Sequence, residues 1–264
     1  MPDALPDSVR ADLDDPFASL TGALAGTTRL RLRVISSRRL SPTMQRIVLT
    51  APELAGFSYA PGQDLMLLVA AEGRSPVRRR YTIRALDRAA ARLTLDIVRH
   101  GEGPGERWVA SVAPGDQIEG IGPRGKITTF PGADWHLFIG DIAAMPAIAA
   151  MTAALPGDSD ATAVVEVPGP QDEQELDSPA RLRVSWLHSL GRAPGDPAAL
   201  AAEAAEVELP AGNGHAYIFG EAKLVLRVRE ILGARGLRPD QISAKSYWGA
   251  GKANANHGEP AKLA

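Results

Sequence analysis

The segment VRRRYTIRALD, Val77–Asp87, is the most informative part of this 264-residue chain about its fold. Alternate residues of a strand share a face, so Arg79 and Tyr81 should point one way and Arg80 and Thr82 the other. In the pattern R-x-Y-T, the arginine offers a cation for a pyrophosphate, the tyrosine an aromatic neighbour and the threonine a hydrogen-bonding hydroxyl. These are the groups that a flavin nucleotide needs. A barrel strand with a solvated basic edge is the alternative interpretation.

The segments on either side of this stretch also have the composition of short strands. Apolar residues alternate with basic ones in TRLRLRVIS from Thr28, and similar runs are MQRIVLTA, DLMLLVA, RLTLDIVRH and QIEGIGPRG. Turn signals such as Pro61-Gly62 separate them. Many short strands with Gly/Pro turns predict a closed antiparallel β-barrel. We place this barrel at residues 28–131, after an N-terminal tail of residues 1–27.

The pattern changes near Pro131, from short strands to strands that alternate with helices. Strands are predicted at 136–140, 161–167, 181–187, 215–220 and 241–248, and helices at 141–155, 196–209 and 221–236. Such alternation is typical of a parallel α/β sheet. We therefore predict a Rossmann-like parallel-sheet domain over residues 132–248, followed by a C-terminal tail over residues 249–264.

Composition excludes several classes of function. The chain has no cysteine, which excludes disulfides, zinc–thiolate sites, Cys-ligated iron–sulfur clusters and thiol catalysis. Its 29 Lys and Arg are balanced by 31 Asp and Glu, which disfavours a nucleic-acid partner. No apolar run approaches the ~20 residues that span a bilayer, and the N-terminus is acidic and polar. We expect no membrane association, no protein-bound metal, a cytoplasmic location and a monomer.

Three glycine-containing turns could meet a nucleotide. HGEGPGERW, His100–Trp108, follows a strand and opens a predicted helix, where free amides and close backbone approach suit a pyrophosphate. Gly140-Asp141 and Gly220-Glu221 each end a predicted parallel strand and precede a helix. That edge of an α/β sheet is where ligands bind. The alternatives are a plain β-turn for the first segment, a glycine turn leading into a core helix for the second, and a helix with a solvated basic face for the third.

Short motifs are spread in a fixed order over roughly Leu30–Gly251. They are R-x-Y-T-x-R at Arg79–Arg84, HG-x-G-P at His100–Pro104 with Trp108, PGD at Pro114–Asp116, GPRG at Gly122–Gly125, GD-x-x-x-x-P-A-I at Gly140–Ile148, D-E-x-x-L at Asp172–Leu176, WLH at Trp186–His188, GEA at Gly220–Ala222 and YW-x-x-G at Tyr247–Gly251. Together they resemble the siderophore-interacting protein family, a branch of the ferredoxin-reductase-like flavoproteins.

The resemblance implies an FAD-dependent NAD(P)H:ferric-siderophore reductase. FAD would sit on the barrel, NADH or NADPH on the α/β domain, and a ferric siderophore near the flavin. Reduction of iron(III) to iron(II) would then release the metal from its chelator. Two alternatives stay open: a general flavin electron-transfer reductase with another acceptor, and a non-catalytic flavin or siderophore carrier.

The same resemblance implies the site residues. Arg79 would contact the FAD phosphates, Tyr81 the isoalloxazine or ribityl group and Thr82 the N5 region, which places Tyr81 and Thr82 at the reacting atoms. The other implied cofactor-binding residues are His100, Gly101, Gly103, Pro104, Gly105 and Glu106 beside FAD, Asp141, Gly220 and Glu221 on the nicotinamide side, and Trp248.

The sequence leaves the choice between NADH and NADPH open. An acidic residue after the second parallel strand favours NADH, and Glu166 or Asp172 could take that role. Arg181, Arg183 and Lys223 could instead meet the 2′-phosphate of NADPH.

Overall fold

The computed structural model describes residues 26–71, 74–99, 103–193 and 195–250. In order along the chain, the strands and helices are β1 (Thr28–Ser41), β2 (Met44–Thr50), β3 (Asp64–Ala71), β4 (Arg74–Thr82), β5 (Ala85–Asp87), β6 (Arg92–Val98), α1 (Pro104–Ser111), β7 (Gln117–Arg124), β8 (Trp135–Asp141), α2 (Met145–Thr152), β9 (Asp160–Val167), β10 (Arg181–His188), α3 (Ala198–Glu206), β11 (Gly214–Glu221), α4 (Ala222–Ala234) and β12 (Ile242–Trp248).

The first seven strands form one antiparallel sheet in the order β4-β3-β7-β1-β2-β6-β5. The two outermost strands, β4 and β5, are consecutive in the chain and are joined through Ile83 and Arg84. The Arg84 amide donates to the Thr94 carbonyl on β6 at 2.9 Å. The sheet therefore curls into a half-barrel. The predicted antiparallel barrel is confirmed, although it is open where the chain bends from β4 into β5.

Alternation along β1 shows why these residues form a curved sheet. Leu30, Leu32 and Val34 are buried in the core of the half-barrel, and the arginines between them are exposed. Strands with this period bury one face and leave the other in water. The long antiparallel pairings of β1 with β2 and β7 hold the middle of the sheet.

The other strands form a parallel sheet in the order β10-β9-β8-β11-β12. Every residue of β8 and β11 is buried, because α3 and α4 cover one face of the sheet and α2 packs on the other. The predicted Rossmann-like sheet is confirmed. Strand order reverses between β8 and β11, so the ligand crevice of such a sheet lies at the carboxyl ends of these two strands.

Two buried polar contacts fix the half-barrel against the parallel sheet. Asp172, which follows β9, accepts hydrogen bonds at Oδ1 from Ser41 Oγ, at the end of β1, at 2.6 Å and from Thr43 Oγ1, in the turn between β1 and β2, at 2.7 Å. Lys245 Nζ on β12 donates to Asp64 Oδ2 on β3 at 3.0 Å. These contacts join the sheets across the predicted domain limits, which stay a prediction. Within the described part of the chain, no helix combines the length and apolar character needed to cross a membrane.

Candidate cofactor site

Strand β4, which carries the R-x-Y-T motif, lies beside the first turn of α1. The Tyr81 ring stacks on Trp108 with ring centroids 5.8 Å apart. A Cβ added at Gly105 would lie 2.9 Å from the Tyr81 hydroxyl and 3.6 Å from Arg79 Cγ. Glycine at this position therefore allows the helix to approach the strand closely. Burial raises the pKa of the Tyr81 phenol, so the hydroxyl keeps its proton at neutral pH.

Helix α1 begins with polar groups that the described residues leave unsatisfied. Gly103 is the N-cap, Pro104 opens the helix, and none of the described side chains caps it. Glu106 Oε1 accepts a hydrogen bond from Arg99 Nε at 3.0 Å, whereas Oε2 is buried and has no partner within the described residues. Uncapped amides at a helix start bind anions.

These residues fit an FAD molecule. The first amides of α1 and the Arg79 guanidinium, which forms no ion pair with the described carboxylates, suit a pyrophosphate. The orphaned Glu106 oxygen suits a hydroxyl donor, such as those of the ribityl chain or the ribose. His100 and Gly101, which the sequence also predicts here, lie outside the described residues.

Thr82 points to the other side of β4, towards the parallel sheet. Its side chain lies beside the Tyr247 phenol on β12 and lowers the pKa of that phenol, and the Tyr247 ring stacks on Phe219 with centroids 5.4 Å apart. Burial raises the pKa of the Tyr247 phenol. The strand alternation predicted from the sequence therefore places Tyr81 against α1 and Thr82 at the junction of the two sheets.

Asp141 ties three strand ends together at the carboxyl edge of the parallel sheet. Its buried carboxylate accepts hydrogen bonds at 2.8 Å each from the Ala143 amide, the Glu221 amide and Trp248 Nε1. Burial raises the pKa of Asp141, and the three hydrogen bonds lower it. The structure thus brings the predicted residues Asp141, Glu221 and Trp248 together, with the Asp141 oxygens occupied by the protein's own donors.

Gly220 and Glu221 complete the same edge. Gly220 has φ +136°, and a Cβ there would lie 2.5 Å from Asp141 Oδ2, so only glycine fits. The Glu221 carboxylate accepts from the first amides of α4 and, at 3.1 Å, from the Ala250 amide. Glu221 therefore caps α4, just as Asp141 caps the turn before α2. At the strand-order reversal, one carboxylate therefore caps α4 and the other caps the 3-10 turn that leads into α2.

The structure rejects several residues that were candidates for choosing the nucleotide. Asp172 is buried against the β1–β2 turn, so it does not reach a ribose. Arg181 begins β10 and pairs with Asp160 at 2.8 Å, which places it at the amino edge of the sheet, opposite the crevice. Arg183 is exposed and lies 3.6 Å from Glu208. Buried pairing takes Asp172 away from the crevice, and position near the amino end of β10 does the same for Arg181 and Arg183.

Glu166 and Lys223 lie at the carboxyl edge. Glu166 is paired in register with Asp141, and Lys223 is in the first turn of α4. Sequence reasoning missed Arg192, whose Nη2 donates to Glu166 Oε1 at 2.8 Å. It lies in the segment between β10 and α3, without a motif that could have identified it.

The comparisons with known proteins agree with this architecture. A family model described as "Siderophore-interacting FAD-binding domain" matches residues 68–127, and one described as "Siderophore-interacting protein" matches residues 133–251. Ferric vibriobactin reductase ViuB of Vibrio cholerae is 30% identical, over 84% of this chain and 89% of that protein. The NADPH-dependent ferric-chelate reductase of Escherichia coli is 27% identical, over 83% and 92%. A siderophore utilization protein from T. fusca superposes with a TM-score of 0.79 at 32% identity, covering 88% of this chain and 96% of that one.

Together with this half-barrel and parallel sheet, the FAD-binding family model and the ferric-chelate reductase relatives identify an NAD(P)H-dependent flavin oxidoreductase. Within that class, the chain belongs to the siderophore-interacting protein family. The resemblance noted in the sequence is confirmed. FAD is the cofactor, NAD(P)H is the co-substrate, and the chain is a siderophore-related flavin reductase.

Proposed function

We propose that this chain is an NAD(P)H:ferric-siderophore reductase that binds FAD along β4 and the start of α1. The observation that carries the proposal is the position of β4 at the edge of the half-barrel. Arg79 and Tyr81 face α1, whereas Thr82 faces the parallel sheet. Because β4 is an edge strand, one ligand can touch both of its faces, with phosphates at the helix and a ring at the junction.

When bound, FAD supplies the redox chemistry: a hydride is taken from NAD(P)H and two electrons go singly to two iron(III) chelates, giving NAD(P)⁺, H⁺ and two iron(II). The chain's own residues bind and orient. Arg79 and the α1 amides hold the pyrophosphate, and the Tyr81 hydroxyl remains a proton donor for a hydrogen bond. Thr82 holds its hydroxyl at the junction, where the N5 region of the flavin would lie.

The junction beside Thr82 carries an excess of positive charge. Arg80 and Lys245 both pair with Asp64, and Arg124 is the register partner of Asp64 on β7. Burial lowers the pKa of the Arg124 guanidinium, and the charge on Arg80 lowers it further. An anionic chelate would relieve this repulsion. The charge at the junction therefore supports a ferric siderophore as the electron acceptor.

Turnover under anaerobic conditions tests the proposal. The FAD-loaded protein is mixed with excess NADH or NADPH and a ferric catecholate or hydroxamate, and iron(II) is trapped with a coloured chelator. We expect two iron(II) per nucleotide oxidised. If the nucleotide is oxidised when a quinone or ferredoxin is the acceptor, but not when any ferric chelate is, the protein is a general reductase instead. Bound FAD with no nucleotide oxidation would identify a carrier.

A further inference from the structure

Glu166 occupies the position where a Rossmann-like sheet meets the ribose of the adenosine. It lies at the carboxyl end of β9, the second strand of the sheet along the chain. Its register partners are Asp141 on β8 and Leu187 on β10. In such sheets, an acidic residue here accepts a hydrogen bond from the ribose 2′-hydroxyl of NAD, whereas an arginine nearby accommodates the 2′-phosphate of NADP.

Arg192 holds one oxygen of Glu166 in place. Its Nη2 donates to Glu166 Oε1 at 2.8 Å and to the His188 carbonyl at 3.3 Å, and its Nε donates to the Ser189 carbonyl at 3.2 Å. The guanidinium is thus fixed by three acceptors. Glu166 Oε2 has no hydrogen-bond partner within the described ranges, and it is not buried from solvent. Arg192 thus positions one carboxylate oxygen, and the other is left for a donor at the carboxyl edge of the sheet.

The surroundings of Glu166 are acidic. Burial raises the pKa of Glu166, the charge on Arg192 lowers it, and the charges on Asp141 and Asp196 raise it. A phosphate monoester would bring a further charge of about −1.5 to −2 to this edge at neutral pH. To bind it, Arg192 would have to leave Glu166, and a half-buried carboxylate would lose its partner, which is costly.

We propose that Glu166, positioned by Arg192, makes this reductase select NADH over NADPH, by accepting a hydrogen bond from the 2′-hydroxyl of the adenosine ribose and repelling a 2′-phosphate. The inference rests on the proposed function, because it assumes that the nucleotide binds at this edge. Glu166 is a specificity-determining residue and Arg192 a positioning residue.

Two nucleotide fragments that differ only in the 2′-phosphate test the inference without flavin chemistry. Binding of 5′-AMP and of 2′,5′-ADP to the FAD-loaded protein is measured by isothermal titration calorimetry. We expect the wild-type chain to bind 5′-AMP at least about tenfold more tightly. Glu166→Gln should reduce or reverse that ratio by about tenfold, since it removes one charge-assisted hydrogen bond and frees Arg192.

A matched control lies at the other end of the same two strands. Asp160 on β9 pairs with Arg181 on β10 through two contacts of 2.8 Å, as Glu166 pairs with Arg192 beyond the carboxyl end. Asp160→Asn should leave the ratio of the two affinities unchanged. Arg192→Ala is a second test: it should weaken the binding of 5′-AMP without strengthening that of 2′,5′-ADP. Melting curves of all variants show whether each is folded.

Three results would overturn the inference: tighter binding of 2′,5′-ADP by the wild-type chain, an unchanged ratio in Glu166→Gln, or no binding of either fragment. The proposed function fails separately. If 5′-AMP is preferred but neither NADH nor NADPH reduces the flavin, the reductase proposal is contradicted and the nucleotide site stands. If both nucleotides reduce the flavin with equal kcat/KM, only the selection of NADH is contradicted.

Discussion

Two regions of the molecule differ in how their polar groups are hydrogen-bonded: the region around β4 and α1, and the carboxyl edge of the parallel sheet. Beside β4, α1 begins without a side-chain cap and Glu106 keeps one buried oxygen without a described partner. At the sheet edge, Asp141 and Glu221 direct their oxygens to the protein's own donors. Buried polar groups are costly when unsatisfied. A permanently bound cofactor can supply the missing hydrogen-bond partners beside β4. The carboxyl edge of the parallel sheet has its hydrogen bonds without a ligand, which suits a co-substrate that binds and dissociates in each turnover.

The largest effect on stability is expected at Asp141. Asp141→Ala removes the acceptor of two amides and of Trp248 Nε1, so the free energy of unfolding should fall by about 3 kcal/mol. Urea unfolding measures this change, with the exposed Glu206→Ala as the control. A loss below about 1 kcal/mol, the contribution of one ordinary hydrogen bond, would show that the edge does not depend on this carboxylate.

Substitution of Arg79 is expected to change cofactor affinity and to leave stability almost unchanged. Arg79→Ala should weaken FAD binding by about ten- to a hundredfold, because a charge-assisted contact to the pyrophosphate is lost. The free energy of unfolding of the FAD-free protein should stay within about 0.5 kcal/mol of the wild-type value. FAD titration followed by flavin fluorescence measures the affinity. The control is Arg31→Ala, at an exposed arginine of β1. Equal FAD affinities in the two variants would show that the pyrophosphate does not bind at Arg79.

A smaller effect is expected at the cap of α4. Glu221→Ala leaves the first amides of the helix without their carboxylate, which should cost about 1 kcal/mol of stability. FAD affinity should not change, because Glu221 lies on the parallel sheet rather than on β4. Thermal unfolding and FAD titration of the same variant measure both quantities. A weakened FAD affinity would contradict the separation of the two regions.

The last expected effect depends on pH and concerns the amino edge of the parallel sheet. Burial, with the nearby His136, lowers the pKa of His215 to about 4, although Asp240 opposes the shift, and Nε2 of His215 lies 2.9 Å from Ser243 Oγ. An unfolded histidine titrates near ~6.5, so the unfolded chain binds more protons between these values. Stability should therefore fall as the pH drops from about 6.5 to about 4.

Melting temperatures between pH 7 and pH 4.5 measure this loss. The wild-type chain should lose several degrees more than His215→Phe, which keeps the ring stacked on Phe130 but cannot bind a proton. FAD affinity in the two proteins should be alike, because this edge is opposite the crevice. Equal losses in the two proteins would show that another group controls the acid response.

Features that depend on residues close together in the chain could be predicted from the sequence. The alternation in β1 and β4 predicted which side chains face inwards, and the switch to strands alternating with helices near Pro131 predicted the parallel sheet. The start of β10 at Arg181 was also a usable signal. A residue at the amino end of a parallel strand lies far from the ligand edge, so Arg181 could have been rejected from the sequence.

Contacts between distant segments could not be predicted. Asp172 looked like a nucleotide ligand, but its partners Ser41 and Thr43 lie 129 to 131 positions away in the chain. Asp64 and Lys245 are 181 positions apart, and neither belongs to a motif. Single-sequence patterns do not show which segments meet, and these pairings decide which charged groups remain available at the site.

A crystal structure of the FAD-loaded protein tests the central claim most directly. We expect the pyrophosphate at Arg79 and the first amides of α1, a hydroxyl of FAD within hydrogen-bond distance of Glu106 Oε2, and the flavin ring at the edge of β4 between Tyr81 and Thr82. Asp141 and Glu221 should keep their present hydrogen bonds. An FAD whose phosphates lie at the start of α2 or α4, with those carboxylates displaced, would contradict the account.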